Sequence, residues 1–417
     1  MLLRTALAAL AIAAASPAFA DAATYWDKLG NADIVLELSS PIEQADASVV
    51  GRYHYARKGI DIPLRATDAV DGKLVLFEEK PCTETICEPA FMAGTFPDEL
   101  RGAVWTLETK DGGYNLTGTW EAGMGKKPLP IDLGLLGTRP VELNDPIEPW
   151  MLSSLPAEVV EGRTPLDEFN APYDYLKTSA VDPTTKGEDI RWGNVAFRYL
   201  IDPRTGFGFP QIAELDGADP VPANMRLLSR RAILNVRAFE CESTAYLGLA
   251  WNPGASNWLG SYGGYPDETV EVRYLSPTVM SWSESGSLYC GGAYPENHTY
   301  LTTIDVRTGK DLDLTKIFAD SRQGAYRWEP GQSLIDLAIS RRVKSTDTSF
   351  EEECGMDELI ATNLAVTFKQ GDIAVFTLQD LPHVIQACQE DIFEAPLAEL
   401  RDYLAPTAAE YFPSLRR

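Results

Sequence analysis

The chain has 417 residues, 45% of them hydrophobic and 23% charged, with 61 Asp and Glu against 36 Lys and Arg for a formal net charge of −25. That length allows two or three cores at about 150 residues per domain. The acidity argues against nucleic acid, which is bound by Lys and Arg neutralising phosphates, and suits a soluble protein that attracts basic partners over long range.

Residues 1–20, MLLRTALAALAIAAASPAFA, place Arg4 before an apolar run and close on Ala18-Phe19-Ala20. That is the pattern of a secretory signal peptide cleaved near Ala20, leaving a mature chain from Asp21 in the periplasm or outside the cell. No later apolar run is long enough to cross a bilayer, so no membrane span is expected. Export gives meaning to six cysteines, an even set for an oxidising compartment. Sequence leaves fifteen pairings open, and nearness along the chain favours Cys82–Cys87, Cys241–Cys290 and Cys354–Cys388. Tight Cys or His pairs of the zinc-binding type are missing, so no metal and no cofactor is expected.

Residues 21–139 read as an all-β domain. VVGRYHYARKGIDIPLRATDAVDGKLVLFEE and AVWTLETKDGGYNLTGTWEAG alternate in character and break at glycine turns, including Asp111-Gly112-Gly113. Such spacing predicts an antiparallel sheet or small barrel, with Tyr53, Tyr55, Trp105 and Trp120 in its core. Residues 140–187 are interrupted by Pro140, Pro146, Pro149, Pro156, Pro165, Pro172 and Pro183. They read as a connector with one or two short helices, because Trp150, Leu152, Leu155, Phe169 and Tyr173 are too apolar to stay solvated.

Residues 188–417 read as an α+β domain of antiparallel sheet with two main helices. PANMRLLSRRAILNVRAFEC sets Met225, Leu228, Ala232, Val236 and Phe239 on one helical face, with Arg226, Arg230 and Arg237 opposite and Pro222 near the start. TVEVRYLS and TVMSWSESGSLYC suit two antiparallel strands. TYLTTIDV and DLDL form a hairpin across RTGK, where Gly309 takes positive φ, and Thr315 caps the turn that follows. GQSLIDLAISRRV is the second amphipathic helix, with Ile335, Ile339 and Val343 one turn apart.

YCGGAYPENHTYLTTIDVRTGKDLDLTKIFAD, together with FTLQDLPHVIQACQEDIFEAPLAELRDYLAP, resembles the extracytoplasmic domain of unknown function shared by RsiV-type anti-sigma factor ectodomains and PdaC-type peptidoglycan deacetylases. Gly291, Gly292 and Ala293 match that family's Gly-Gly-Ala-His turn, with Tyr294 where the family has histidine. Asp305, Thr308, Gly309, Lys310, Leu312 and Leu314 match its hairpin, and Lys316-Ile317-Phe318 stands in for Asp-Leu-Phe. The resemblance covers roughly residues 190–406. It implies a domain that works by contact with wall-related partners, and in RsiV-type proteins direct binding of lysozyme. The deacetylase activity of PdaC-type proteins belongs to a separate catalytic domain that has no counterpart here.

The common motifs of metalloproteases, serine hydrolases, P-loop and dinucleotide enzymes do not occur. A histidine-dependent hydrolase has His54, His298 and His383 to choose from. His298 is the best placed, with Glu296 and Asn297 beside it in an expected loop. For binding, YLGLAWNPGASNWLGSYGGYPDE gathers Trp251, Trp258, Tyr262 and Tyr265 on a glycine-rich loop, and Tyr294, Glu296 and His298 join them as partner-binding candidates. The expectation is therefore a non-catalytic binding protein of the bacterial envelope that engages a basic, lysozyme-like wall-lytic enzyme or peptidoglycan. Two alternatives stand beside it: a hydrolase acting through His298 or paired carboxylates, and an envelope protein with an unrelated contact role.

Overall fold

A computed structural model describes residues 20–40, 48–67, 73–123, 125–141, 159, 164, 166–249, 251, 268–288, 290, 296–325, 327–343 and 353–416. Eight strands come first: β1 (Ala20–Leu29), β2 (Ala32–Ser40), β3 (Val49–Tyr55), β4 (Ile62–Ala66), β5 (Leu74–Glu79), β6 (Arg101–Lys110), β7 (Asn115–Glu121) and β8 (Leu129–Val141). Each pairs antiparallel with the next, and β1 also pairs with β8, so the sheet closes into a barrel without edges. Period-two alternation turns Leu36, Leu38, Tyr53, Leu64, Leu76, Trp105, Leu107, Leu116 and Leu133 into one core. The Asp111-Gly112-Gly113 turn joins β6 to β7 with all three residues at positive φ. Pro140 lies inside β8 opposite Asp21.

Between β5 and β6 the chain makes helix α1 (Glu84–Ala93), tied at its base by Cys82–Cys87 and ended by Gly94 in the left-handed region. After the barrel, α2 (Pro172–Ser179) starts on proline and lies against the outside of β1, β2 and β8. Tyr173 is buried there as expected of an apolar residue, but Phe169 is 81% exposed, so its ring is not what anchors the segment.

The second half holds a three-stranded sheet of β9 (Thr184–Trp192), β10 (Val195–Ile201) and β11 (Gly208–Glu214). Helix α3 (Val221–Ser243) follows, then a four-stranded sheet of β12 (Thr269–Leu275), β13 (Val279–Leu288), β14 (Glu296–Asp305) and β15 (Lys310–Asp311). The short pair β16 (Ser321–Gln323) and β17 (Trp328–Pro330) precedes α4 (Gln332–Arg341) and α5 (Met356–Asn363). The last sheet is β18 (Leu364–Lys369), β19 (Ile373–Leu378) and β20 (Asp391–Pro396).

α3 departs from the simple amphipathic expectation. Met225 and Leu228 are exposed, while Ala223, Leu227, Leu234 and Ala238 face the sheets, and Ala232 and Ile233 pack with Leu166 and Ala171 beside α2. The helix is buried on two sides because it lies between the barrel and the sheets, and its apolar pattern follows both. Arg230, read as solvent-facing, reaches Glu284 at 2.9 Å. Gly309 has the expected positive φ, and a Cβ there would meet the Pro222 carbonyl oxygen at 2.3 Å. Asp313, not Thr315, caps the following turn by accepting from the Thr315 N–H. The three disulfides are Cys82–Cys87, Cys241–Cys290 and Cys354–Cys388.

Barrel, α2 and α3 meet over a buried ionic network. Arg52 donates to Glu37 at 3.0 Å, to Asp61 at 2.8 Å and to Asp174 at 3.4 Å, and its guanidinium lies 4.0 Å from the centre of the Tyr173 ring. Arg139 donates to Glu37 at 2.7 Å, while Lys177 at 2.8 Å and Tyr173 at 2.7 Å both donate to Asp61. Three carboxylates thus meet three cations, and Ser243 at the end of α3 accepts the Asp61 N–H. Burial pushes the Glu37 carboxyl up, but the Arg139 and Arg52 charges outweigh it and hold it below its ordinary value.

Glu240 sits beside this network with no ion pair of its own among the described residues, and burial, then the Asp174 charge, push its carboxyl up to about 8. One of its oxygens is buried and accepts no hydrogen bond. Because the folded-state value is raised, the unfolded chain releases this proton first. Stability is therefore lost as pH rises from about 4 to about 8 and is level above that. Glu240→Gln is expected to remove this slope and raise stability near pH 7.5 by up to about 4 kcal/mol, read from urea unfolding at pH 5 and 7.5. An unchanged slope would assign the pH dependence to other groups.

Candidate functional site: a hydroxyl and amide groove between two sheets

Alternation in β13 and β14 gives the four-stranded sheet two unlike faces. Met280, Trp282 and Ile304 join the core beneath α3. The alternate residues of β13, Ser281, Ser283, Ser285 and Ser287, stand in register with Thr303, Leu301, Thr299 and Asn297 of β14. Hydroxyls pair across the strands at 2.8 Å for Ser281 with Thr303 and 3.1 Å for Ser285 with Thr299.

The β18–β20 sheet stands across this polar face, bridged to it by glutamine amides. Gln370 donates to the Leu275 carbonyl at 3.3 Å, Gln379 to Leu301 at 3.2 Å and Gln389 to Thr299 at 3.1 Å. Between the sheets runs a groove of about 750 Å³, floored by Ser283, Ser285 and Thr299, with Trp192 on its lining. A second cavity of about 460 Å³ shares Ser285, Thr299 and Gln389 with the first and is bordered by Asn297 and His298.

Charge is confined to the walls, where Glu271, Glu390 and Asp391 stand with Arg273 and Lys369. Arg273 lies 3.7 Å from Asp391, and Lys369 lies 2.9 Å from Glu394. The floor itself is neutral, and each of its hydroxyls both donates and accepts. Such a surface satisfies a neutral ligand rich in hydroxyl and amide groups, with an indole ring at hand for an apolar sugar face.

The expected site residues fare differently. His298 is in strand β14, not in a loop, with its backbone paired to Gly286. Its Nε2 is 2.9 Å from Glu268, its ring stacks on Tyr300 with centres 5.1 Å apart, and its side chain is 8% exposed. The acid at its Nε2 is Glu268, thirty residues away in sequence. Glu296 opens β14, and its side chain lies outside the described residues.

Trp251 is 6% exposed and packs with Cys82, Cys87 and Leu100, so it covers a disulfide and is not an open binding ring. Trp258, Tyr262, Tyr265 and Tyr294 lie outside the described residues. His54 is fully buried, and burial, then the Lys177 charge, push its imidazole well below its ordinary value. Among the described residues no group of three or more His, Cys, Asp or Glu is placed to hold a metal.

Sequence reading found both strands of the floor but not the site. The signal was the serine at every second position of MSWSESGS, which marks one polar face. The glutamines that wall the groove come from far along the chain and carry no local signal. No family model and no curated protein matches the chain.

Proposed function

We propose that this chain is an exported, non-catalytic binding protein of the cell envelope, and that the groove between the β12–β15 and β18–β20 sheets receives a neutral stretch of wall glycan. The observation that carries this reading is the groove floor of Ser283, Ser285 and Thr299 with amide walls. Sugars offer hydroxyls and acetamido groups, which such a surface matches without a desolvated charge.

Export is supported by the start of the barrel. β1 begins at Ala20, so cleavage there removes at most the Ala20 pairing with Val141 and leaves Asp21 opposite Ser40 and Pro140. Three formed disulfides suit an oxidising compartment. No helix among the described residues is long and apolar enough to cross a membrane. Asp305, Thr308, Gly309 and Lys310, which resemble the hairpin of the RsiV and PdaC domain, belong to the β14–β15 hairpin, where Asp305 accepts from the Arg307 N–H at 3.0 Å. They support a likeness of scaffold and leave the ligand to the groove.

A second reading, capture of a basic wall-lytic enzyme such as lysozyme, is favoured by the net charge of −25. Such capture is steered by charge and weakens with salt.

Ser285→Leu puts an apolar branch on the groove floor. Affinity for soluble wall-glycan fragments is expected to fall at least about 10-fold by calorimetry, with the unfolding midpoint unchanged. Equal affinity in the variant would remove the groove from the account.

A further inference from the structure

The barrel carries a second polar feature, separate from the groove. At the end of the barrel where β3, β5 and β7 finish, Glu78 turns inward. Its Oε1 accepts three hydrogen bonds, from the Tyr53 hydroxyl at 2.8 Å, the Trp105 indole at 2.9 Å and the Trp120 indole at 2.6 Å. Tyr53 and Trp105 are buried, whereas Glu78, Tyr55 and Trp120 are partly exposed at this opening. The rings surround the carboxylate closely, with Tyr53 5.0 Å from Trp105 and 5.6 Å from Tyr55.

Local backbone geometry is adapted to this side chain. Phe77 pairs with Val104 and Glu79 with Arg101, so two residues, Gly102 and Ala103, stand opposite Glu78 in a β-bulge. A Cβ on Gly102 would lie 2.9 Å from the Glu78 carbonyl oxygen, so the bulge needs glycine there. Bulges of this kind re-aim side chains beside functional sites.

Glu78 differs from the ion-paired carboxylates of the fold. Glu37, Asp61, Glu79 and Glu284 are each buried against Arg or Lys. Glu78 has three neutral donors and no cation partner among the described residues. A carboxylate held only by neutral donors, at an opening where the Tyr55 and Trp120 rings are partly exposed, is complementary to an organic cation that combines charge with C–H surface. We propose that this barrel mouth is a binding site for an alkylammonium group, carried by a small amine or by a lysine side chain. The proposal does not depend on the groove.

The test uses the full mature chain, residues 21–417, at constant ionic strength, following the indole N–H signals of Trp105 and Trp120 by NMR. n-Butylammonium is expected to shift both signals saturably, and sodium alone to shift neither. Glu78→Gln keeps an amide oxygen for the three donors while removing the charge, and should weaken the affinity at least tenfold. A short lysine peptide binding more tightly than butylammonium assigns the site to a protein partner, and weaker binding assigns it to a free amine. Should the Gln variant fail to fold, Trp120→Phe, which keeps the carboxylate, is expected to weaken binding several-fold. Absence of a saturable shift in the wild type, or equal affinity in the folded variant, would overturn the proposal.

Discussion

Arg52→Ala is expected to cost about 3–5 kcal/mol of stability, the loss characteristic of a buried ion network deprived of one partner. Arg52 touches Glu37, Asp61 and Asp174 at once, and its removal leaves three carboxylates with only Arg139 and Lys177. None of these groups can turn to water, since Arg52, Glu37 and Asp61 are fully buried. The control is Lys28→Ala, which breaks an exposed pair with Asp33 and should cost no more than about 1 kcal/mol. Urea unfolding checks both. The acid limb adds a second reading. Glu37 and Asp61 are held below their ordinary values, so their contribution is present above about pH 4 and lost as pH falls through the folded-state values. In Arg52→Ala that limb should flatten. Equal costs for the two variants would mean that the network is wet and that α2 and α3 are not fixed to the barrel through it.

Replacing Cys241 and Cys290 by serine is the second large effect, expected at about 4 kcal/mol from the chain-entropy relation for a separation of 49 residues. This bond joins the last turn of α3 to the segment after β13, and so holds the helix over Trp282 and Ile304. Cys82–Cys87, with a separation of 5, should contribute only about 2 kcal/mol. Unfolding midpoints of the two double-serine variants give the comparison. A greater loss at Cys82 and Cys87 would show that Trp251 packing, not loop closure, sets the contribution.

The parts legible in sequence were those with a local cause. Period-two patterns and glycine turns gave most of the barrel strands, and nearness along the chain gave three disulfide pairs that the structure contains. Gly309 could be placed because a short hairpin needs positive φ. Closure of the barrel was less legible, since it depends on β1 pairing with β8 across more than a hundred residues. Arg52, Asp61 and Lys177 were not singled out in the sequence, because charge balance in space leaves no trace in spacing. His298 was read as a loop residue because the glycines before it suggested a turn, and its acid, Glu268, lies too far away in sequence to be paired by motif. Trp251 looked like a binding ring because its glycine-rich context hid the disulfide beneath it.

The most direct test of the central claim is calorimetry of residues 21–417 with soluble wall-glycan fragments and, separately, with a basic lysozyme, at low and physiological salt. The uncharged floor of Ser283, Ser285 and Thr299 predicts saturable heat with glycan that changes little with salt. No heat with glycan, together with strong and steeply salt-dependent heat with lysozyme, would contradict it and move binding from the groove to the acidic surface.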